Sequence, residues 1–374
     1  MTMNKQHNKG LEFLQANMVP ILFTLLCVGS IIISGQNMSY VMTETVSRVG
    51  RNAILVVSLI LPCICGMGLN FSIVLGAMAG EIGLIFAADW QVWGIPGMIL
   101  AAIVSIPISV ALGVMIGKIL NRSKGREMIT SYMISFTMNG VYQFVVLFMM
   151  GPIIPIVHDS LKLPRGYGIR NTVSLLSMRQ SLDNLLAVQV GGVKIPVLTL
   201  LIIGLACLFI VWFRKTKLGQ DMRAVGQDME VARDAGINVE RTRVISMVIS
   251  TVFAGFGMII YLQNVGNFPT YTAHTQIGMF AIAALLVGGA SVDRASIGNV
   301  FLGVILFHTM FIVAPKTGAA ITGDSMIGEY FRVFVSYAVI TLALVMYESK
   351  KRKNKSLAGQ QLAAEQAAEE EASK

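Results

Sequence analysis

The chain has 374 residues, 55% of them hydrophobic and only 13% charged, with mean hydropathy +0.69 and formal net charge +9. A soluble domain carries about 25% charged residues, and a soluble chain of this length would divide into domains with polar surfaces, so this balance excludes an ordinary soluble architecture. The basic residues lie in short segments beside apolar runs, which is the charge pattern of a membrane protein and not of a nucleic-acid-binding surface.

The pattern predicts an all-α polytopic membrane protein with about ten transmembrane helices. Lys5 and Lys9 precede the first apolar run, Met18–Ser34, and no small-residue cleavage signal follows it, so it reads as an uncleaved span. The further runs are Ala53–Cys65, Asn70–Ala88, Trp93–Leu120, Met128–Met150, Pro196–Phe213, Val244–Leu262, Gln276–Leu286, Ile297–Val313 and Phe331–Met346. The second and eighth are too short to cross alone, so they extend into flanking residues or form broken helices. An inner N-terminus puts Lys118, Arg122, Lys124, Arg126, the Arg214–Arg243 basic residues, Arg294 and the Lys350–Lys355 cluster inside. It leaves Arg48, Arg51, Lys162, Arg165, Arg170, Arg179, Lys194, Lys316 and Arg332 outside. The inner excess is roughly two to one, which predicts that both termini are cytoplasmic.

Residues 1–349 thus form one membrane domain, with an inner loop at 214–243 and a long outer loop at 151–195. The tail, 350–374, reads as disordered or as a marginal helix. The outer loop carries Pro152, Pro155 and Pro164, then an amphipathic stretch with Val173, Leu176, Leu182 and Leu186. It is either a cap on the membrane surface or a docking surface for an external partner. The cysteines, Cys27, Cys63, Cys65 and Cys207, all sit in apolar runs and read as small buried hydrophobes; the C-x-C spacing is not that of a redox or zinc site.

The inner loop is the most informative segment. Asp228 is a good N-cap and Gly236 a good helix stop, bracketing about two helical turns on which Met229, Ala232 and Ala235 share a face. A helix this short does not hold itself in water and needs a groove to lie in.

Glu230-Val231-Ala232-x-x-x-Gly236 resembles the E-A-A-x-x-x-G signature of ABC importer permeases. The surrounding Lys217-Leu218-Gly219-Gln220, Ala224-Val225-Gly226 and Ala232–Asn238 are similar to the sugar/nucleoside and branched-chain amino-acid permease family, ribose-type and nucleoside-type members above all. Gly68-Leu69-Asn70-Phe71-Ser72-Ile73 resembles that family's G-x-D-L-S-V motif, with Asn70 in place of Asp. Leu286-Val287-Gly288-Gly289-Ala290-Ser291 resembles its L-G-G-x-S motif, followed here by the unusual Asp293-Arg294.

The resemblance implies a membrane-spanning subunit that catalyses no covalent step and binds no cofactor, with ATP and Mg held by a partner ATPase. It implies that Asp228, Glu230, Ala232, Arg233 and Gly236 dock that ATPase. The other implied partners are a second permease copy or sister permease, an extracellular solute-binding protein and membrane lipid, with no nucleic acid. The implied place is a bacterial or archaeal cell (inner) membrane. The implied cargo is a simple sugar or nucleoside, or else a branched-chain amino acid. This chain lacks a P-loop: Gly113–Gly117, Lys118 and Ile119 are one residue short of one and lack its Ser or Thr, so they read as a glycine-rich helix end with a snorkelling lysine.

Polar residues inside spans are costly and therefore mark pathways or interhelical glue. Ser135, Asn139 and Gln143 recur at i, i+4, i+8 on one face of the fifth span, Glu81 lies within the third and His308 within the ninth. With Asn70 these are the candidate pathway residues. Glu81 and His308 also suit a different class, an ion- or proton-coupled secondary transporter, and a membrane scaffold without transport is a third reading. Gly66, Gly68, Gly76, Gly80, Gly288, Gly289, Gly298 and Gly303 mark close helix approach or broken helices.

Overall fold

The computed structural model describes residues 17–345 apart from 293, 325, 335, 336, 339, 340 and 342–344. Lys5, Lys9, Asp293, the tail at 350–374 and part of the tenth expected span lie outside the described residues. Of the described residues, 74% are helical and few are in strands. Among the described residues, six helical stretches are long and apolar enough to cross a membrane, and two shorter apolar helices accompany them.

The helices, in chain order, are α1 Met18–Ser34, α2 Met38–Val57, α3 Ile60–Ile64, α4 Ile73–Asp89, α5 Gly94–Arg122 and α6 Glu127–Phe144, which ends in a π turn, Val145–Met149. After the 151–196 connection come α8 Val197–Lys215, α9 Lys217–Gln227, α10 Met229–Asp234, α11 Val239–Val265, α12 Ala273–Val287 and α13 Ile297–Thr322. The connection itself holds β1 Thr172–Ser174, α7 Ser181–Leu185, β2 Ala187–Val190 and β3 Val193–Pro196; β4, Asn267–Pro269, precedes α12.

Apart from the second and the tenth, the expected runs fall on helices, and α1 has the predicted bounds. The two short runs resolve in the two ways open to them. The second lengthens at its N-terminal end into α2 and α3, one candidate span of 27 residues. The eighth remains short as α12, which ends at Gly288 and Gly289, the latter at φ +83. The lengthening of α2 corrects one placement: Arg48 and Arg51 belong to a helix and not to an outer loop. Arg48 pairs with Glu44 one turn away at 3.7 Å, and Arg51 donates to Asn264 Oδ1 at 3.1 Å.

The centre of the bundle is α11, packed on α5, α4 and α2; α13 packs on α1, α2 and α12. Close approach explains the glycines at the α5–α11 crossing. A Cβ on Gly117 would lie 2.8 Å from the Val244 Cα, and one on Gly113 2.7 Å from the Val248 Cα. Only hydrogen fits between those backbones. Thr251 Oγ1 adds a hydrogen bond to the Ser109 carbonyl across the same seam, at 2.9 Å. The string weighed against a P-loop is therefore the packing face of α5.

The 151–196 connection folds onto the bundle. β1 pairs antiparallel with β4, which buries Val173 against Phe268. Asp183, buried, accepts from Thr199 Oγ1 at 2.5 Å and from Asn264 Nδ2 at 2.7 Å, tying α7 to α8 and α11. Of the expected amphipathic face, Val173 and Leu182 are buried while Leu176 and Leu186 stand exposed.

Candidate functional site

Two regions gather the chemistry, one at each end of α6. At its C-terminal half lies a cavity of about 470 Å³ lined by Phe71, Val74, Tyr132, Ser135, Phe136, Asn139, Thr275, Gln276, Gly278, Met279 and Tyr337. Its walls are α6 and α12, with Phe71 from the turn before α4, Val74 from α4 itself and Tyr337 from beyond α13. Four aromatic rings and a few hydroxyls and amides make up the lining, and none of these residues is charged. Flat apolar faces with a few hydrogen-bonding groups suit a small neutral polar solute. A second groove, about 730 Å³ between α5, α8 and α11, is lined almost wholly by aliphatic and aromatic carbon, including Leu198, Ile202, Phe209 and Phe253. It offers a polar solute nothing to bind.

Behind Asn139 sits a buried relay. His274, at the start of α12, is fully buried, as is Glu81 in the middle of α4. His274 Nδ1 lies 2.8 Å from Glu81 Oε2 and Nε2 lies 2.7 Å from Asn139 Oδ1. The Tyr142 ring packs edge-on against the imidazole at 4.8 Å between centroids. A carboxylate inside an apolar bundle must be paired, and a histidine contributed by another helix supplies the partner. α12 therefore begins deep in the bundle, as a broken span does.

The sequence-derived candidates divide. Ser135 and Asn139 line the cavity; the Ser135 hydroxyl also bonds the Phe71 carbonyl at 2.8 Å. Gln143, one turn further, instead donates to the Tyr271 carbonyl at 3.3 Å. Tyr271 in turn bonds the Ile169 carbonyl, so this corner fastens the connection over the bundle. Glu81 reaches Asn139 through His274 and does not line the cavity. Asn70 is a turn former: its Oδ1 accepts from Ser72 N at 3.0 Å and its Nδ2 donates to Ser250 at 3.2 Å, while Phe71 faces the cavity. His308 is buried between the rings of Phe307 and Phe311, away from the lining.

At the other end of α6 is the short helix α10. Asp228 caps it, accepting from Glu230 N at 2.8 Å and Val231 N at 3.1 Å. Gly236, at φ +83, stops it, and Ile237 N returns to the Ala232 carbonyl at 3.0 Å. The expected face of Met229, Ala232 and Ala235 is corrected: Ala232 is 3% exposed and turned into the chain's own core, Met229 packs beside it, and Ala235 is exposed. The groove that holds this helix is the floor of α9 and α11. Glu230, Val231, Arg233 and Asp234 are the residues left exposed.

Met229 Sδ touches Arg243 Nη1 at 3.4 Å, and Arg243 Nη2 pairs with Glu127 Oε1 at 2.7 Å. The end of α9 reaches the chain elsewhere too: a Cβ on Gly66 would lie 2.9 Å from the Gly226 Cα. Among the described residues no cluster of His, Cys, Asp and Glu is placed to hold a metal ion, and the four cysteines are buried and not joined in disulfides.

The family model described as branched-chain amino acid transport system / permease component matches residues 41–344. The chain belongs to this permease family. The three motifs read from the sequence fall within that range: the first as α10, the second as the turn into α4, and the third as the α12–α13 junction, where Asn299 Nδ2 clasps the Gly288 carbonyl at 2.7 Å. The permease is similar to the nucleoside ABC transporter permease protein NupB of Lactococcus lactis subsp. cremoris, 25% identical over 250 residues, 64% of this chain and 63% of that protein. It is also similar to two proteins of Haemophilus influenzae. The xylose transport system permease protein XylH is 28% identical over 43% of this chain and 41% of its own length. The galactose/methyl galactoside import permease protein MglC is 29% identical over 45% and 48%. The matches thus span less than two thirds of each of these relatives. No solved structure matches the chain. Family and apolar helices together make it a multi-pass cell-membrane protein.

Sequence reasoning missed His274, which it left in a loop before Gln276, and the Arg243–Glu127 pair. The available signal was the polar string Thr272–Gln276, unusual at the mouth of so apolar a helix.

Proposed function

We propose that this permease is the membrane-spanning subunit of an ATP-driven ABC importer that moves a simple sugar or a nucleoside inward by alternating access. Hydrolysis of ATP belongs to a separate ATPase subunit, with the exposed face of α10 as its docking point. The spans number about ten, both termini and the 214–243 loop are cytoplasmic, and the 151–195 loop faces outward toward a solute-binding protein. Residues 1–349 are the permease domain, which pairs with a second copy or a sister permease.

The observation that carries this reading is the uncharged, aromatic and amide-lined cavity standing on the same helix, α6, whose other end meets α10 through Arg243 and Glu127. From Glu127 to Asn139 that helix spans roughly 18 Å. The similarity to NupB, XylH and MglC supports the solute class. A branched-chain amino acid is less suited, since the lining has no charge to meet its ammonium and carboxylate. Purified permease reconstituted in vesicles with its ATPase and binding protein tests the reading. Uptake of labelled uridine or D-xylose is expected to require ATP and to persist with an uncoupler. Uptake that collapses with the uncoupler at constant ATP would make it a secondary transporter driven through Glu81.

A further inference from the structure

The relay behind the cavity has a consequence for what the cavity accepts. Asn139 presents its Oδ1 to His274 Nε2 at 2.7 Å. A carbonyl oxygen only accepts, so Nε2 carries a proton. On the other side of the ring, Nδ1 and Glu81 Oε2 are 2.8 Å apart and hold one proton between them. That proton is either on an imidazolium facing a carboxylate or on a carboxylic acid facing a nitrogen lone pair. Both descriptions have the same proton count, and both keep the Nε2 proton on Asn139. With its carbonyl so engaged, the amide turns its Nδ2 the other way, and Asn139 lines the cavity. A reversed amide would require a bare Nε2 and one proton fewer in the pair. The neighbouring titratable side chains are Tyr142, whose ring lies against the imidazole, and Tyr271, whose hydroxyl is engaged by the Ile169 carbonyl.

We propose that Glu81 and His274 are positioning residues that fix the Asn139 amide donor-first toward the cavity, so that this wall selects solutes presenting an acceptor oxygen, a hydroxyl or a carbonyl. This rests on the cavity being the solute site.

The test uses the full permease with its ATPase and binding protein, uridine and D-xylose as probes, and deoxy analogues of whichever is carried. Asn139→Leu is expected to raise KM by about tenfold, the worth of one hydrogen bond, and to erase discrimination against one deoxy analogue. His274→Leu is expected to do the same, with no further change in the double variant, since residues of one network are not additive. His274→Gln, which keeps a donor for Asn139 and folds in the same space, restores most of the loss. A relay-specific arm needs no transport: in protein with 15N-labelled histidine, the His274 signal is expected to carry a proton on Nε2 and to shift in Asn139→Ala and in Glu81→Gln. A His274 signal indifferent to Asn139→Ala, or additive KM effects, overturns the relay. An Asn139→Leu permease with unchanged KM for every probe overturns instead the placement of the solute in this cavity, and with it the selectivity drawn from the relay.

Discussion

The Arg243 guanidinium, fully buried, is held at 2.7 Å by the Glu127 carboxylate, and this single contact joins the first turn of α11 to the first residue of α6. The same guanidinium rests on the Met229 sulfur, so α10 and α6 share one cation. Breaking a buried pair by removing one partner costs about 3–5 kcal/mol, whereas replacing both by apolar groups is often neutral. Arg243→Leu and Glu127→Leu are therefore each expected to lower thermal stability in detergent. The double variant is expected to melt close to wild type and yet to hydrolyse ATP without moving solute. A double variant as unstable as either single one would show instead that the ion pair stabilises the fold more than apolar packing in its place does.

Gly236→Val tests the stop of α10. Nothing lies within 4 Å of a Cβ there, so the substitution meets no clash; its cost is the left-handed backbone, roughly 1–2 kcal/mol. The spans keep their hydrophobicity and still insert. Expected is a protein present in the membrane that loses its co-purifying ATPase, or the stimulation of that ATPase by binding protein. Normal association and uptake would remove α10 from the docking surface.

Orientation is testable by labelling. With the four buried cysteines replaced, a single cysteine at Gln227 is expected to resist a membrane-impermeant reagent in intact cells, and one at Tyr167, 68% exposed, to react. Efficient labelling at 227 would invert the topology.

Tyr271→Phe removes the hydroxyl that bonds the Ile169 carbonyl. One neutral hydrogen bond is worth about 1 kcal/mol. Limited proteolysis is expected to nick residues 151–171 faster in this variant, while ATPase association stays intact. An unchanged digestion rate would mean that the Tyr271 hydroxyl does not hold the connection.

The helices were legible because their signal is continuous: an apolar run such as Met18–Ser34 needs no partner to be recognised. The ends were less so, because Arg48 and Arg51 continue α2 while breaking its hydropathy, their charges satisfied by Glu44 and by Asn264 of α11. The stripe at Ser135 and Asn139 was readable from spacing, since a face repeats every turn. The turning away of Gln143 was not, because it depends on where Tyr271 arrives from 128 residues further on. Glu81 announced itself as a charge without a neighbour, but its partner His274 is 193 residues distant, and sequence spacing carries no trace of such a meeting. For α10 the periodicity placed Met229 and Ala232 on one apolar face but added Ala235, which is exposed, and it did not say that the covering surface belongs to the same chain.

The glycine seam between α5 and α11 bears on how such a molecule moves. Side chains that interdigitate can change rotamer and let helices slide, but at Gly113 and Gly117 backbone meets backbone and there is nothing to rotate. These two helices form one rigid frame. By contrast α6 buries little beyond Glu127, Ser131, Ser135 and Tyr142, and it carries a cation-bound foot at one end and a cavity wall at the other. It is the helix on which the buried ion pair and the cavity lining both stand.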